Sequence, residues 1–187
     1  MPGALVARGE RVTLRTTEEE DVSMLQRMRT DPTLRLPLGN PVTSRTEMVA
    51  EWPRDDDADR FTVCLDDPPA GRGSPAEDET RAIGFVNVED AAWRRPELGY
   101  GLVSEVHGEG YGKEAVALAV DYTFRTYAHP AVGAGAFAFN DASRALLESL
   151  GFTEEGRTRR DMFVDGEYRD MVQYGLLREE WTTRSDD

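Results

Sequence analysis

Cysteine, lysine and long apolar runs are what this sequence lacks. Cys64 is the single cysteine among 187 residues, so an internal disulfide and a cysteine-based zinc cluster are both excluded. No apolar run approaches the roughly 18–20 residues that cross a bilayer, and the N-terminal stretch is too short and too polar for a secretory signal. These absences predict a soluble, cytoplasmic protein with no membrane partner, and no group of residues suggests a bound metal.

The scarcity of lysine stands beside an excess of acid. Lys113 is the only lysine, the other 21 basic residues are arginine, and 36 Asp and Glu bring the net charge to -14. A GC-rich genome would explain the missing lysine but not the excess of acid. A salt-rich cytoplasm explains both, because carboxylates hold hydrated cations and salt screens their repulsion. The composition therefore predicts a halophilic source, and it argues against a nucleic-acid partner, which needs a basic stripe.

Strand-like and helix-like segments are mixed along one domain that spans residues 1–187, without an internal repeat. Residues 66–80 are rich in proline, glycine and acid and predict a mobile loop insertion. A second loop is expected at residues 32–41, and a flexible tail at residues 182–187. Hairpins at both ends of the chain predict a mixed sheet. The expected strands are residues 10–16, 60–65, 81–89, 97–103, 132–139, 154–164 and 168–177, and the expected helices begin near residues 17, 43, 110 and 140.

The strongest local signal is the segment HGEGYGK, residues 107–113, between a predicted strand and a long predicted helix. Its three glycines at alternate positions let the backbone approach a ligand, with N–H groups converging at a helix N-terminus, as a pyrophosphate requires. Lys113 in the first helical turn opposes the helix dipole at a cost of about 0.3–1 kcal/mol, which suggests a bound anion. The structural alternative is a flexible turn in which Lys113 pairs with Glu109 or Glu114.

These residues resemble the acetyl-CoA signature [Q/R]-x-x-G-x-[G/A] of the GNAT superfamily of N-acetyltransferases. The two glycine positions match, whereas His107 stands where glutamine or arginine is usual. The resemblance to the RimJ/RimL branch, which acetylates the N-termini of ribosomal proteins, covers roughly residues 9–181. It rests on the opening ERVTLRTTEEEDVSML and on ELGYGLVSEVHGEGYGKEAV, NDASRALLESLGF and GEYRDMVQYGLLREEW.

The resemblance implies an α+β fold of the GNAT type and acetyl-CoA as cosubstrate. The sheet would be mixed, mostly antiparallel, of about seven strands, and splayed between the fourth and fifth strands, with about four flanking helices and the thioester in the gap. It also implies an amine acceptor and no metal, and it leaves open whether the protein is a monomer or a homodimer. The residues expected to bind the cofactor are Leu102, Val103, His107, Gly108, Glu109, Gly110, Tyr111, Gly112, Lys113, Asn140 and Ser143.

Attack of an amine on a thioester needs a base, an oxyanion donor and help for the leaving thiolate. We expect Glu97 to be the base through a water molecule, and the N–H of Leu102 or Val103 to bind the oxyanion. Glu97 has a structural alternative, an ion pair with Arg94 or Arg95. In the resembled branch Asn140 lies near the pantetheine and Ser143 protonates the thiolate. Both residues can equally form an ordinary helix cap.

The acceptor is the least determined part of the prediction. A protein N-terminal α-amine is the leading choice, a small-molecule amine is the second, and a non-catalytic acetyl-CoA sensor is the third. Acceptor-lining candidates are Pro37, Leu38, Asn40, Trp52 and Trp93, while Arg144 is either a phosphate ligand or a solvated side chain.

Overall fold

The computed structural model describes residues 3–50, 58–66, 80–92 and 94–185. Trp52, Trp93, most of the expected 66–80 loop and the last two residues lie outside this part of the chain. Within it, the order of elements is β1 (Leu5–Arg8), β2 (Thr13–Thr16), α1 (Val22–Thr30), α2 (Pro32–Leu38), α3 (Arg45–Ala50), β3 (Ala58–Asp66), β4 (Thr80–Glu89), β5 (Glu97–Leu102), α4 (Tyr111–Thr126), β6 (Ala131–Phe137), α5 (Asp141–Ser149), β7 (Thr153–Val164), β8 (Glu167–Leu177) and α6 (Arg178–Ser185).

The strands form one open sheet in the order β1-β2-β3-β4-β5-β6-β8-β7. Every neighbouring pair is antiparallel except β5 and β6, which run parallel. The predicted mixed, mostly antiparallel sheet is therefore confirmed. Over the described residues the protein has eight strands and six helices, because it contains the short strand β1 and the helices α2 and α6, which were not expected. With β1 counted, the expected fourth and fifth strands are β5 and β6, so the expected gap lies between these two.

Helices cover both faces of the sheet, and β5 shows which helices lie on which face. The position of a Cβ at Gly101 would lie 3.2 Å from Met28 of α1 and 3.3 Å from Leu38 of α2. A Cβ at Gly112, at the start of α4, would lie 3.5 Å from Leu102 and 3.1 Å from Leu146 of α5. Because successive residues of a strand point to opposite faces, odd-numbered residues of β5 face α1 and α2 and even-numbered ones face α4 and α5.

The expected loop at residues 32–41 is wrong, because residues 32–38 form helix α2. The Asp31 carboxylate accepts a 2.9 Å hydrogen bond from the N–H of Thr33, and Pro32 occupies the first helical turn. Gly39 ends the helix with a φ of 67°. Pro37 costs this seven-residue helix a single backbone hydrogen bond, so the proline pattern that suggested a loop is compatible with a short helix.

The C-terminal helix α6 replaces four residues of the expected flexible tail. Its first residue, Arg178, donates to carbonyls at the end of α4 and beyond, including 2.6 Å to Tyr127 and 2.8 Å to His129. The Trp181 indole N–H donates to Asp121 of α4 at 2.7 Å. These contacts join distant parts of the chain, so local composition does not indicate them. None of the described helices is long and apolar enough to cross a membrane.

Candidate active site

The candidate site lies where β5 and β6 separate. The two parallel strands pair through Glu97 with Gly133 and through Leu98 with Ala134, and no further pair follows. On its other side β5 stays paired with β4 as far as Leu102. The sheet is therefore splayed at the C-terminal ends of these two strands.

The ladder with β4 decides which backbone groups of β5 point into the gap. The N–H of Val103 donates to the carbonyl of Ile83 at 2.8 Å, so Val103 is directed toward β4. N–H groups alternate in direction along a strand, and Leu102 and Tyr100 are therefore directed away from β4, into the gap. The carbonyl of Pro96 has the same direction, since it accepts from Gly133 of β6 at 2.8 Å.

This geometry separates the two expected oxyanion donors. The amide of Val103 is taken by β4, which removes it as a donor in this structure, and the amide of Leu102 faces the gap. Tyr100 joins it as a donor that sequence reasoning missed. Its direction follows only from the register of β5 on β4.

The glycine turn lies at the N-terminus of α4. Gly108 and Gly110 have φ angles of 82° and 83°, which favour glycine, and Gly110 is the N-cap residue of the helix. No side chain caps the helix, and a Cβ at Gly108 would meet nothing within 4 Å. N–H groups at the start of α4 are thus left for an anion. Gly112 has a different role, since its missing side chain allows close packing against Leu146.

Arg11 holds this turn from outside and was not expected there. Its guanidinium donates to the Glu109 carbonyl at 2.8 Å and lies 4.9 Å from the centre of the Tyr111 ring. The Glu114 carboxylate accepts from the backbone N–H of Arg11 at 2.7 Å and from its side chain at 3.2 Å. Glu114 is therefore engaged by Arg11, and among the described residues no carboxylate forms an ion pair with Lys113. The alternative in which Lys113 pairs with Glu109 or Glu114 is therefore not seen among the residues that the structure describes.

His107 reaches back to the end of β5. Its Nε2 atom lies 2.9 Å from the carbonyl oxygen of Leu102, which points into the gap, so Nε2 carries the hydrogen of this bond. The ring joins the glycine turn to the last residue of the strand. His107, which stands where glutamine or arginine is usual, thus holds the glycine turn against the end of β5.

Two hydroxyl groups meet on the α5 side of the gap. The Tyr100 hydroxyl and the Ser143 Oγ share a hydrogen bond of 2.7 Å. The N–H of Ser143 donates to the side-chain oxygen of Asn140 at 3.2 Å, so Asn140 is the N-cap of α5. Burial raises the pKa of Tyr100 to about 12, which keeps its phenol protonated at neutral pH. Arg144 donates to the Tyr174 hydroxyl at 3.2 Å rather than standing free.

Glu97 lies on the opposite face of β5, among the groups that face α1 and α2. Its carboxylate covers Gly133, so a Cβ at that position would displace it. Burial raises the pKa of Glu97, and the nearby Arg95 guanidinium, 3.5 Å away, opposes that rise. Arg95 also pairs with Glu155 of β7 at 2.6 Å. The structural alternative for Glu97, a pair with Arg95, is thus present, while Arg94 pairs with Asp90.

The space on this face is bounded by α2 and by the β7–β8 hairpin. Leu38 lies over Gly101, and a Cβ at Gly39 would lie 3.0 Å from Phe137 and 3.2 Å from Met162. Of the expected acceptor-lining residues, Leu38 therefore borders β5. Pro37 lies within α2, and Asn40 follows it. Trp52 and Trp93 lie outside the described residues.

Cys64 takes no part in this site. It is buried at 2% exposure, and burial raises the pKa of its thiol to about 12, so it stays an inert thiol.

The assembled groups match one kind of chemistry. Two free amides line a gap, a turn at a helix N-terminus is open to an anion, a pair of hydroxyls lies on one face and a carboxylate with a raised pKa lies on the other. An extended cofactor with phosphates at one end fits the first two features, and a second reactant can approach from the carboxylate face.

Comparison with known proteins agrees with this chemistry. Residues 11–153 match the family described as Acetyltransferase (GNAT) domain. The chain is 27% identical over 176 residues to the SPbeta prophage-derived uncharacterized N-acetyltransferase YokL of Bacillus subtilis, covering 92% of this chain and 93% of YokL. It is 33% identical over 108 residues, 56% of each chain, to the ribosomal protein uS5-alanine N-acetyltransferase of Escherichia coli. Its fold resembles that of spermidine N-acetyltransferase from Vibrio cholerae in complex with CoA and spermine, with a TM-score of 0.79 at 21% identity over 93% of this chain and 99% of the other.

Proposed function

This chain belongs to the GNAT family and is an acetyl-CoA-dependent N-acetyltransferase, and we propose that its acceptor is the N-terminal α-amine of a protein. The observation that carries the assignment of the site is the gap between β5 and β6, with the amides of Tyr100 and Leu102 directed into it. The glycine turn at the start of α4 lies just beyond Leu102. The three together match a cofactor that has a pyrophosphate, an amide-containing arm and a thioester in sequence.

The order of these groups orients the cofactor. The pyrophosphate binds the N–H groups around Gly110, and the pantetheine arm then runs back along β5 past Leu102 toward Tyr100. The two amides lie about 7 Å apart along the strand, so each binds a different carbonyl of the cofactor. Since the thioester is at the far end of the arm, the Tyr100 amide receives the acetyl oxygen and stabilises its charge as the amine attacks. The oxyanion role expected for Leu102 therefore passes to Tyr100.

Glu97 acts on the acceptor amine through water. It lies three residues from Tyr100, about 10 Å along the strand, which is too far for direct contact with an amine at the thioester. Burial raises its pKa, which makes it a better base than an exposed carboxylate. An α-amine has a pKa of about 7.7–8.0 against about 10.4 for a lysine amine, so roughly a tenth of it is already neutral at pH 7.

A relative supports a protein N-terminus over a polyamine as the acceptor. The charges around Glu97 do not separate the two, because Arg95 is shared by Glu97 and Glu155 and the cluster keeps one net negative charge. Such a cluster attracts a cationic acceptor of either kind. The uS5-alanine N-acetyltransferase relative supports the protein N-terminus. Spermidine is the acceptor named for the structural neighbour and is the alternative to be tested.

An assay of thiol release from acetyl-CoA tests the proposal at high salt. The acceptors are peptides that begin with alanine or serine, the same peptides with a blocked N-terminus, and spermidine. We expect turnover with free N-termini only. Turnover with spermidine at higher kcat/KM would transfer the assignment to polyamines. Cofactor binding without turnover of any amine would favour the sensor.

A further inference from the structure

We infer that Tyr100 is a positioning residue that directs the Ser143 hydroxyl at the sulfur of the cofactor. The inference rests on the proposed function for the identity of that sulfur. Its starting observation is the 2.7 Å hydrogen bond between the Tyr100 hydroxyl and the Ser143 Oγ, side by side on the α5 face of the gap.

The direction of this hydrogen bond follows from the acidity of the two groups. A phenol is a far stronger acid than a serine hydroxyl, so we assign Tyr100 as the donor and the Ser143 Oγ as the acceptor. Burial keeps the phenol protonated, so it remains a donor throughout the neutral range. The phenol has a single hydrogen, and its other acceptor within reach, the backbone carbonyl of Ser143, lies farther away at 3.4 Å than the Oγ atom at 2.7 Å.

Two contacts then fix Ser143 while leaving one hydrogen free. Its backbone N–H is held by Asn140, and one lone pair of its Oγ is held by Tyr100. A serine hydroxyl otherwise rotates to suit its surroundings, so occupying the lone pair restricts where its hydrogen points. The remaining O–H is thereby available for a third group on this face.

Tyr100 also links both ends of the bond that breaks. Its backbone amide faces the gap and receives the acetyl oxygen, and its side chain holds the hydroxyl beside the leaving sulfur. The amine nitrogen forms a bond to the acetyl carbon, and the carbon–sulfur bond breaks with its electron pair on sulfur. Ser143 stabilises this thiolate by a hydrogen bond and keeps its own proton. The amine proton leaves through the water at Glu97, and the thiolate takes a proton from solvent.

A binding experiment tests the inference without any acceptor. Titration calorimetry measures the affinity for CoA and for the same molecule lacking its sulfur, at pH 7 and pH 9. A free thiol ionises near about 8.5, so a hydrogen bond to the thiolate should make CoA bind roughly 10-fold tighter at pH 9 relative to the sulfur-free analogue. Tyr100→Phe and Ser143→Ala should each abolish that gain. Tyr122→Phe is the matched control, because the hydroxyl of this tyrosine donates to Asp59 of β3, away from the gap.

Kinetics of the same variants give the second readout. We expect Tyr100→Phe to lower kcat roughly 10-fold with an unchanged KM for acetyl-CoA, and the double variant with Ser143→Ala to be no slower than Ser143→Ala alone. Additive losses, or a slow Tyr100→Phe beside a normal Ser143→Ala, would overturn the inference, as would a pH 9 gain that survives in Tyr100→Phe. If no amine is acetylated, the proposed acceptor fails but the binding experiment still decides the role of Tyr100.

Discussion

The proposed cofactor and acceptor surfaces around β5 are built in different ways. The proposed cofactor surface consists mostly of backbone groups: the amides of Tyr100 and Leu102, which point into the gap in the plane of the sheet, and the turn at Gly108 and Gly110. The proposed acceptor surface, on the α1 and α2 face, consists of side chains, chiefly Glu97 with Arg95.

A cofactor that binds to backbone groups does not depend on particular side chains, whereas the choice of acceptor depends on the side chains that surround it. Strand direction and glycine conformation do not depend on which side chains surround them, so the cofactor face tolerates variation such as His107. The acceptor face depends on individual charges. Variants on the two faces should therefore affect different kinetic constants.

Replacement of the proposed base should have the largest effect. We expect Glu97→Gln to lower kcat/KM for the acceptor roughly 100-fold, because general-base catalysis is lost, and to leave the Kd of acetyl-CoA unchanged. Since burial raises the pKa of Glu97, the acidic limb of the wild-type pH–rate profile should lie above the ordinary glutamate pKa of about 4.3, and it should vanish in the variant. Glu155→Gln is the control, since it removes the other partner of Arg95. An equal loss in both variants would show that the ion-pair cluster, not the base, matters.

The glycine turn gives the second largest expected effect. Gly108 and Gly166 share nearly the same φ, 82° and 79°, and a Cβ at either would meet nothing within 4 Å. Alanine at each position should cost about 1–2 kcal/mol of unfolding free energy from the backbone strain alone. Only Gly108→Ala should weaken acetyl-CoA binding, by roughly 10-fold, measured by calorimetry, as its turn loses a position that brings the backbone close to phosphate. Equal acetyl-CoA affinity in the two variants would contradict the phosphate site.

Arg95 offers a smaller and more selective test of the acceptor face. Its guanidinium lowers the pKa of Glu97, so Arg95→Gln should raise that pKa and move the acidic limb of kcat/KM to higher pH. With a positive charge removed, use of spermidine should rise a few-fold relative to an α-amine peptide. An unchanged ratio of the two acceptors would mean that Arg95 does not contribute to acceptor choice.

The smallest expected effect concerns the whole surface rather than either face. The net charge of -14 should destabilise the fold in dilute buffer, and screening should raise Tm on the order of 5 °C between 0.1 M and 2 M KCl. Calorimetry at matched pH measures this, with sucrose as a control for general preferential exclusion. A flat Tm would remove the prediction of a halophilic source and leave the enzyme assignment intact.

Local patterns predicted the elements whose ends depend on a few neighbouring residues. The helix after HGEGYGK begins at Tyr111, and the Asp165-Gly166 turn joins β7 and β8, because glycine and cap chemistry act over a few residues. The same reasoning failed for α2, where the prolines at 32 and 37 suggested a loop although Asp31 and Gly39 supplied both helix ends. It missed β1, which is only four residues long and is stabilised by pairing with β2.

Sequence alone determined which residue types were available: a glycine turn for phosphates, a glutamate at a strand start and a serine at a helix start. The tertiary structure decided which of them meet. The register of β5 on β4 directs the backbone amides of Tyr100 and Leu102 toward the gap and the amide of Val103 toward β4. Packing of α5 places Ser143 against the Tyr100 hydroxyl. Hydrogen-bond direction in a sheet depends on the neighbouring strand, and contact between residues 43 positions apart depends on the whole fold, so neither can be obtained from local spacing.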